Sequence, residues 1–350
     1  MLTVFSLDQS EQWDRIVKSF SNYDTYWLSG YVKAFQLHGD GEPLLFYVNL
    51  ENARGINVVM KRDIAECEYF SGKLKSNEYF DFATPYGYGG WLIEGIDYDR
   101  IFQEYFEWCY KHNVISEFVR FHPLAKNHTF CEKDYDVVSL GEVVAIDTSS
   151  PDIVWENLIS KNRNVIRKAI KSGVKIYNGR YIEIYQKFRK IYNETMDKDN
   201  ADPYYYFQSD FYESILEDLG ENSQIFFAQI SDGTIIAAAI MLMANGYMNY
   251  HLSGSVQEYS SYAATNLLLY KAALWGCANG CKTLYLGGGV GSGEDGLFKF
   301  KRSFYKGDLN RFHIGKKIFN QEKYNEFVSM RENLGKTGFF PRYRAKKENH

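Results

Sequence analysis

Two hairpin turns, one long apolar helix and one short strand, in that order, constrain this chain more than anything else in it. Asp232-Gly233 and Asn245-Gly246 are pairs that tight turns between antiparallel strands favour, because such turns need residues that tolerate positive φ. They cut the run into three strands at 224–230, 234–242 and 247–252. Residues 262–279 then read as a helix, and Gly280 stands where a left-handed cap ends one. A further strand follows at 282–286. The expected fold class is α/β (α+β), with mixed central sheets.

The first half follows a similar plan. Helices are expected at 9–20 and 29–38, and a hairpin at 44–61 turning at 51–55. A helix at 98–112 follows, with apolar residues at helical spacing (Ile101, Phe102, Tyr105, Phe106, Cys109), then strands at 117–122 and 137–147. The second half opens on helices at 153–172, 181–198 and 210–219, with a short strand at 174–177. At 350 residues the chain is too long for one ordinary core. Two domains of similar plan are therefore expected: 1–147, and 148–320 containing a last strand at 311–318. Residues 321–350 would add a helix at 321–332 and a loose basic tail, 341–347.

Composition narrows the functional classes. A net charge of −4 argues against wrapping DNA, which needs a basic face, but allows contact with one RNA end. Cys67, Cys109, Cys131, Cys277 and Cys281 are scattered and odd in number, so they read as reduced thiols in a cytoplasmic protein, with no metal site. The N-terminus lacks a signal peptide, and the longest apolar run, 235–244, is too short to span a bilayer. Peripheral contact with a membrane-attached substrate stays open.

Chemistry concentrates at 286–304. Strand residues run into Gly287-Gly288-Gly289 and a glycine-dense loop, which delivers Phe300-Lys301, Arg302 and Phe304. A lysine just past such a loop can face a developing negative charge. Arg163, Arg167 and Lys171 are spaced as a basic stripe on one helical face, with Ile159, Ile166, Ala169 and Ile170 on a buried one. Guanidinium groups of this kind grip phosphates. Thr84-Pro85-Tyr86-Gly87-Tyr88-Gly89-Gly90 combines backbone freedom with the stacking faces of Tyr86 and Tyr88. Asp202 to Phe207 adds a second aromatic run. No Ser-His-Asp or Cys-His set stands out, so direct attack is favoured over an acyl-enzyme.

Taken together, these motifs resemble the FemABX family of peptidoglycan aminoacyltransferases and its broader GNAT-type relatives. The likeness covers roughly 31–312. It implies two tandem GNAT-like acyltransferase domains and transfer of an aminoacyl group from aminoacyl-tRNA to an amine on a cell-wall precursor. It implies Phe300 and Lys301 at the acyl carbonyl, with the lysine stabilising the oxyanion or the leaving hydroxyl. Arg163, and behind it Arg167, would hold the diphosphate of a nucleotide- or lipid-linked sugar or peptide precursor. Tyr86, Tyr88 and Tyr204 would line the acceptor cleft, and Lys33 would match a phosphate-binding lysine. Ser260 and Ser261, capping the helix after the third strand, would hold the donor with Gly288 and Gly289. No tightly bound cofactor is implied.

The departures matter too. The corner 259–265 lacks the glycines of a CoA pyrophosphate loop, and the long helical arm of glycine-bridge builders is missing. Three readings follow: an aminoacyl-tRNA-dependent transferase touching the tRNA acceptor end, an acyl-CoA-dependent enzyme acting on an amino sugar, and an inactive precursor-binding module. The general base is unassigned, with Asp81 as its candidate.

Overall fold

The computed structural model describes residues 1–331, 334–335 and 337–346. Its strands, in chain order, are β1 (Leu2–Phe5), β2 (Glu42–Asn49), β3 (Ala53–Asp63), β4 (Phe80–Ala83), β5 (Leu92–Gly95), β6 (Val114–Arg120), β7 (Asp136–Asp147), β8 (Lys175–Gly179), β9 (Ser223–Gln229), β10 (Ile235–Ala244), β11 (Tyr247–Ser255), β12 (Thr283–Gly287) and β13 (Asn310–Ile318). Two compact units emerge, Met1–Leu140 together with the chain from Phe312 onward, and Gly141–Arg311. No helix among the described residues is long and apolar enough to cross a membrane.

In the first unit, β1, β2, β3 and β4 pair antiparallel in succession, and β5 pairs with the start of β3. The helix Tyr98–Lys111 carries the chain to β6, which runs parallel to β4. Parallel neighbours need such a crossover. The helix buries Ile101, Phe102, Tyr105 and Cys109 against Phe46, Phe82 and Trp91.

Inside this core, Glu117 accepts from Asn57 Nδ2 at 2.9 Å and from Tyr135 Oη at 2.6 Å. Burial raises its pKa, although Tyr135, Asn57 and Lys317 oppose the rise. A carboxyl raised in the fold binds its proton more tightly folded than unfolded. Its stabilisation is therefore present below the unfolded value, about 4.3, and lost as pH rises through the folded one. Glu117→Gln is expected to flatten the fall in stability between pH 4 and neutrality, read by denaturant unfolding across that window.

The second unit repeats the scheme. β8, β9, β10 and β11 form an antiparallel run, the helix Ala264–Ala278 crosses over, and β12 lies parallel to β11 and antiparallel to β7. Asn245 and Gly246 both have positive φ, as the turn they form requires, and Gly280 is left-handed past the crossover helix. The core gathers Ala237, Ala239 and Met241 of β10 against Leu268, Leu269 and Ala272 of that helix.

Three expectations need correction here. The strand expected at 311–318 in the second domain pairs with β6 of the first unit. The helix expected at 153–172 is two helices, Pro151–Asn157 and Ser160–Lys171, because Leu158 and Ile159 are extended. The tail expected to be loose is anchored from Pro341 to Ala345: Arg342–Arg344 form a short 3-10 turn, and Tyr343 is buried beside Phe70 and beside Phe327 of the helix Gln321–Ser329. Glu332 and Lys347 lie outside the described residues.

Candidate functional site

The second unit builds its site where two neighbouring strands part. β11 and β12 pair only from Tyr247↔Thr283 to Asn249↔Tyr285. Beyond that point β11 keeps β10 as its partner and β12 keeps β7. Each strand carries a register irregularity at the parting: His251 is the extra residue of β11, and Leu286 that of β12. Such bulges bend strands and re-aim their side chains. The sheet is thus wedged open at the end of β12, where the glycine loop begins.

Gly287 has φ +80, a conformation few side chains tolerate. At Gly289, a Cβ would meet Gly293 O and lie 2.5 Å from Asp295 Oδ1. Asp295 explains this crowding. Its Oδ1 accepts from Phe298 N at 2.8 Å and its Oδ2 from Val290 N at 3.1 Å, so it caps the helix Gly296–Arg302 and ties the loop to it. The Phe298 amide, above all, holds the Asp295 carboxyl below its ordinary pKa. Gly289→Ala is expected to open this cap and cost about 1–3 kcal/mol, read as a lowered thermal midpoint.

The capped helix buries Phe298 on one face and Lys301 beside it. Lys301 Nζ donates to Gly288 O at 2.7 Å, so the lysine reaches back across the loop to the end of β12. Its exposure is only 8%. Burial pulls its pKa down to about 8, with Asp295 opposing. Phe300 is half-buried and meets Phe304 edge-on at 5.4 Å. Arg302 donates to the carbonyls of Tyr305, Lys306 and Gly307 and so pins the chain that follows.

The basic helix docks on this same segment. Ile159 N and Asn162 Nδ2 both donate to Ser303 O, at 3.1 and 3.3 Å. Asn162 Oδ1 accepts from Asn266 Nδ2 at 2.8 Å, which ties in the crossover helix. Three motifs far apart in sequence are joined through two asparagines that sequence reasoning missed. A buried amide between charged neighbours was the available signal. Arg163, next to Asn162, is half-buried, and its guanidinium has no hydrogen bond or ion pair among the described residues. Arg167 is exposed, lies over Trp155 at 5.2 Å and donates to Asn164. Ile170, expected to be buried, is exposed, because the buried face of this helix is made by Asn162, Ile166 and Ala169.

Ser260 and Ser261 do not cap the crossover helix. They sit exposed in the 3-10 turn Gln257–Tyr262, and Ala263 is the cap residue, left-handed at φ 52 and without a side-chain bond. The Ser260 carbonyl closes that turn by accepting from Ala263 N. Tyr204 is half-buried in the turn Pro203–Tyr205, capped by Asp202, and meets Tyr205 edge-on at 5.4 Å.

The remaining predicted residues belong to the first unit. Tyr88 packs edge-on against Tyr26, His122 and Phe312. The Tyr86 carbonyl accepts from Tyr31 Oη, and Arg120 lies over the Tyr86 ring and donates to Gly87 O at 3.0 Å. Gly87 is left-handed, and a Cβ there would meet Tyr26 at 2.5 Å. The loop is thus firmly packed, and Tyr86 and Tyr88 are each half-buried. Lys33 is exposed on the helix Ser29–His38. Asp81 cannot serve as a base. It lies buried in β4; burial alone would raise its pKa, but Arg344 and Arg62 outweigh that and keep it ionised and paired.

Residues 160–302 match the family model described as an acetyltransferase (GNAT) domain. No curated protein matches the chain. Among solved structures, FemX aligns over 93% of this chain and 99% of its own, with a TM-score of 0.68 and 13% identity. L-PGS from Bacillus licheniformis aligns over 91% and 95%, with a TM-score of 0.57 and 13% identity. A conserved protein of unknown function from Bacteroides thetaiotaomicron aligns over 91% and 100%, with a TM-score of 0.58 and 11% identity. At these identities the likeness is one of fold.

Proposed function

From a FemABX-like fold whose second unit carries a GNAT acyltransferase domain, we infer that this chain is an enzyme of N-acyl transfer. We propose that it moves an aminoacyl group from aminoacyl-tRNA to an amine of a nucleotide- or lipid-linked cell-envelope precursor. The observation that carries this reading is Lys301, buried, tied to Gly288 O and softened to a pKa of about 8.

The chemistry follows from that lysine. A neutral amine attacks the ester carbonyl, forming a C–N bond and an oxyanion. The Lys301 ammonium stabilises that charge in a site of low polarity, where one such contact is worth about 3–4 kcal/mol. Collapse breaks the C–O bond to the tRNA ribose. The proton lost by the attacking nitrogen ends on the departing hydroxyl, and a group with a pKa near working pH can relay it. Donor identity as aminoacyl-tRNA is supported by the corner 259–265, which has no glycine. FemX and L-PGS, similar in fold, lend this reading its chemical class.

Arg163 offers a half-buried guanidinium, unpaired among the described residues, next to the docked asparagine, and we assign it to the acceptor's phosphates. Arg163→Ala is expected to raise the acceptor KM by about tenfold with little change in kcat; equal binding by wild type and variant would return Arg163 to the solvated surface.

A second reading rests on Ala263. Its left-handed turn gives the crossover helix an amide end free of side-chain capping, as an acyl-CoA pyrophosphate would need, with an amino sugar as acceptor. Assays with aminoacyl-tRNA and with acyl-CoA, each with and without ribonuclease, separate the two. Ribonuclease-resistant transfer from acyl-CoA would overturn the tRNA reading.

A further inference from the structure

The two units treat the same topological point differently. In the second, the parallel pair β11 and β12 parts. In the first, the corresponding parallel pair, β4 and β6, stays joined past its last register pair, Ala83↔Phe118. Thr84 N donates to Phe118 O at 3.0 Å, Gly89 N donates to Arg120 O at 2.8 Å, and Gly89 bridges Phe121. The loop 84–90 thus fills the place where the second unit opens. What this closed gap presents is Arg120, the last residue of β6.

The loop holds Arg120 from several sides. Thr84 Oγ1 accepts from its backbone N–H at 3.1 Å, and Gly87 O accepts from its Nε at 3.0 Å. Its guanidinium carbon lies 6.0 Å from the centre of the Tyr86 ring and 5.3 Å from that of Phe312. The side chain is therefore ordered before any ligand arrives. Arg62 and Arg344 of the same unit are neutralised by Asp81, but Arg120 has no ion pair among the described residues. Asp24, the buried carboxylate of this region, is turned to Thr25 N at 2.6 Å and His122 Nε2 at 3.0 Å. Arg120 is half-buried, and its Nη1 and Nη2 make no hydrogen bond among the described residues. Neither nitrogen is enclosed, so an incoming group reaches both.

These features specify a ligand. With Nε spent on Gly87, the end of the fork remains: two N–H groups spaced for two oxygens of one oxyanion. One guanidinium balances one negative charge. A carboxylate carries that charge, whereas a terminal phosphate brings nearly two. The half-buried Tyr86 ring gives apolar surface beside the anion. We propose that Arg120 binds a carboxylate of the acceptor molecule and so selects acceptors that carry one. The assignment rests on the acyl-transfer reading, whose acceptor it specifies.

Calorimetric titration of the full chain with three probes tests it. They are UDP-N-acetylmuramyl pentapeptide, the same molecule with its C-terminal acid made an amide, and UDP-N-acetylmuramic acid, whose carboxylate sits on the sugar. Arg120→Gln removes the charge and is expected to weaken only the probe that carries the recognised carboxylate, by about tenfold or more. Loss for the pentapeptide but not its amide places that carboxylate at the peptide end. Loss for UDP-N-acetylmuramic acid but neither peptide places it on the sugar. Arg120→Lys keeps the charge without the fork and is expected to fall between wild type and Arg120→Gln. Weakening of the amide along with its parent acid would make Arg120 a staple of the loop or a phosphate ligand, and would overturn the assignment. Unchanged binding of all three probes would overturn it too. No binding of any probe to the wild type would instead remove the acceptor reading, and this assignment with it.

Discussion

Lys301→Ala is expected to lower kcat about a hundredfold to a thousandfold while leaving the chain folded. Two further readouts separate a catalytic cation from a structural one. The charged form is the one that stabilises an oxyanion, and burial has brought its pKa to about 8. The wild-type rate is therefore expected to fall as pH rises through about 8. In Lys301→Arg, whatever activity survives should persist to higher pH, since a guanidinium stays charged. Stability moves the other way. A lysine depressed below its unfolded value, about 10.4, binds its proton less tightly in the fold, so the fold is penalised while the group is charged and gains stability as pH rises from about 8 to 10. Lys301→Met removes the buried charge and is expected to be at least as stable as wild type at neutral pH. A variant that loses both turnover and several kcal/mol of stability would make Lys301 a structural residue.

Arg344→Leu is expected to destabilise the first unit by about 3–5 kcal/mol, the cost of stripping a partner from a fully buried charge. Asp81 has no solvent exposure. Its Oδ2 accepts from Arg344 Nε at 2.6 Å and Tyr343 Oη at 3.0 Å, and its Oδ1 from Arg62 Nε at 2.7 Å. Arg344 also donates to Asp63 O, and Arg331 donates to the Tyr343 and Ala345 carbonyls, so the tail is held from both sides. Chemical denaturation of the variant measures the loss, and adding Asp81→Asn should recover part of it, because the stranded charge is then gone. The pH dependence has a definite sign. The carboxyl is depressed in the fold, so its stabilisation is present above the unfolded pKa, about 3.9, and lost as pH falls through the folded one. A change below about 0.5 kcal/mol in Arg344→Leu would mean that Arg62 alone satisfies Asp81.

Much of the fold was legible from local rules. Asn245-Gly246 set the β10–β11 turn, Gly280 ended the crossover helix, and the apolar spacing from Ile101 to Cys109 drew the first crossover. These signals act within a few residues, through allowed backbone angles and the period of one element. Short buried strands were missed. β4 has four residues and no alternation, since both its faces are covered. The break at Leu158 and Ile159 also escaped, because nothing in their side chains forbids a helix; the Ile159 amide is instead taken by the distant Ser303 carbonyl.

The chain's own residues settled the alternation of hairpins, crossover helices and parallel partners in each half, together with the lysine after the glycine loop. Those follow from local conformational preference and from where apolar side chains recur. Only the tertiary structure decided that β13 returns to β6, that Asp81 is a clamped anion and not a base, that Ala263 takes the place expected of two serines, and that Lys301 is buried against Gly288. Each of those depends on which distant group occupies the adjacent space, and burial and charge pairing are set by such neighbours and not by sequence position.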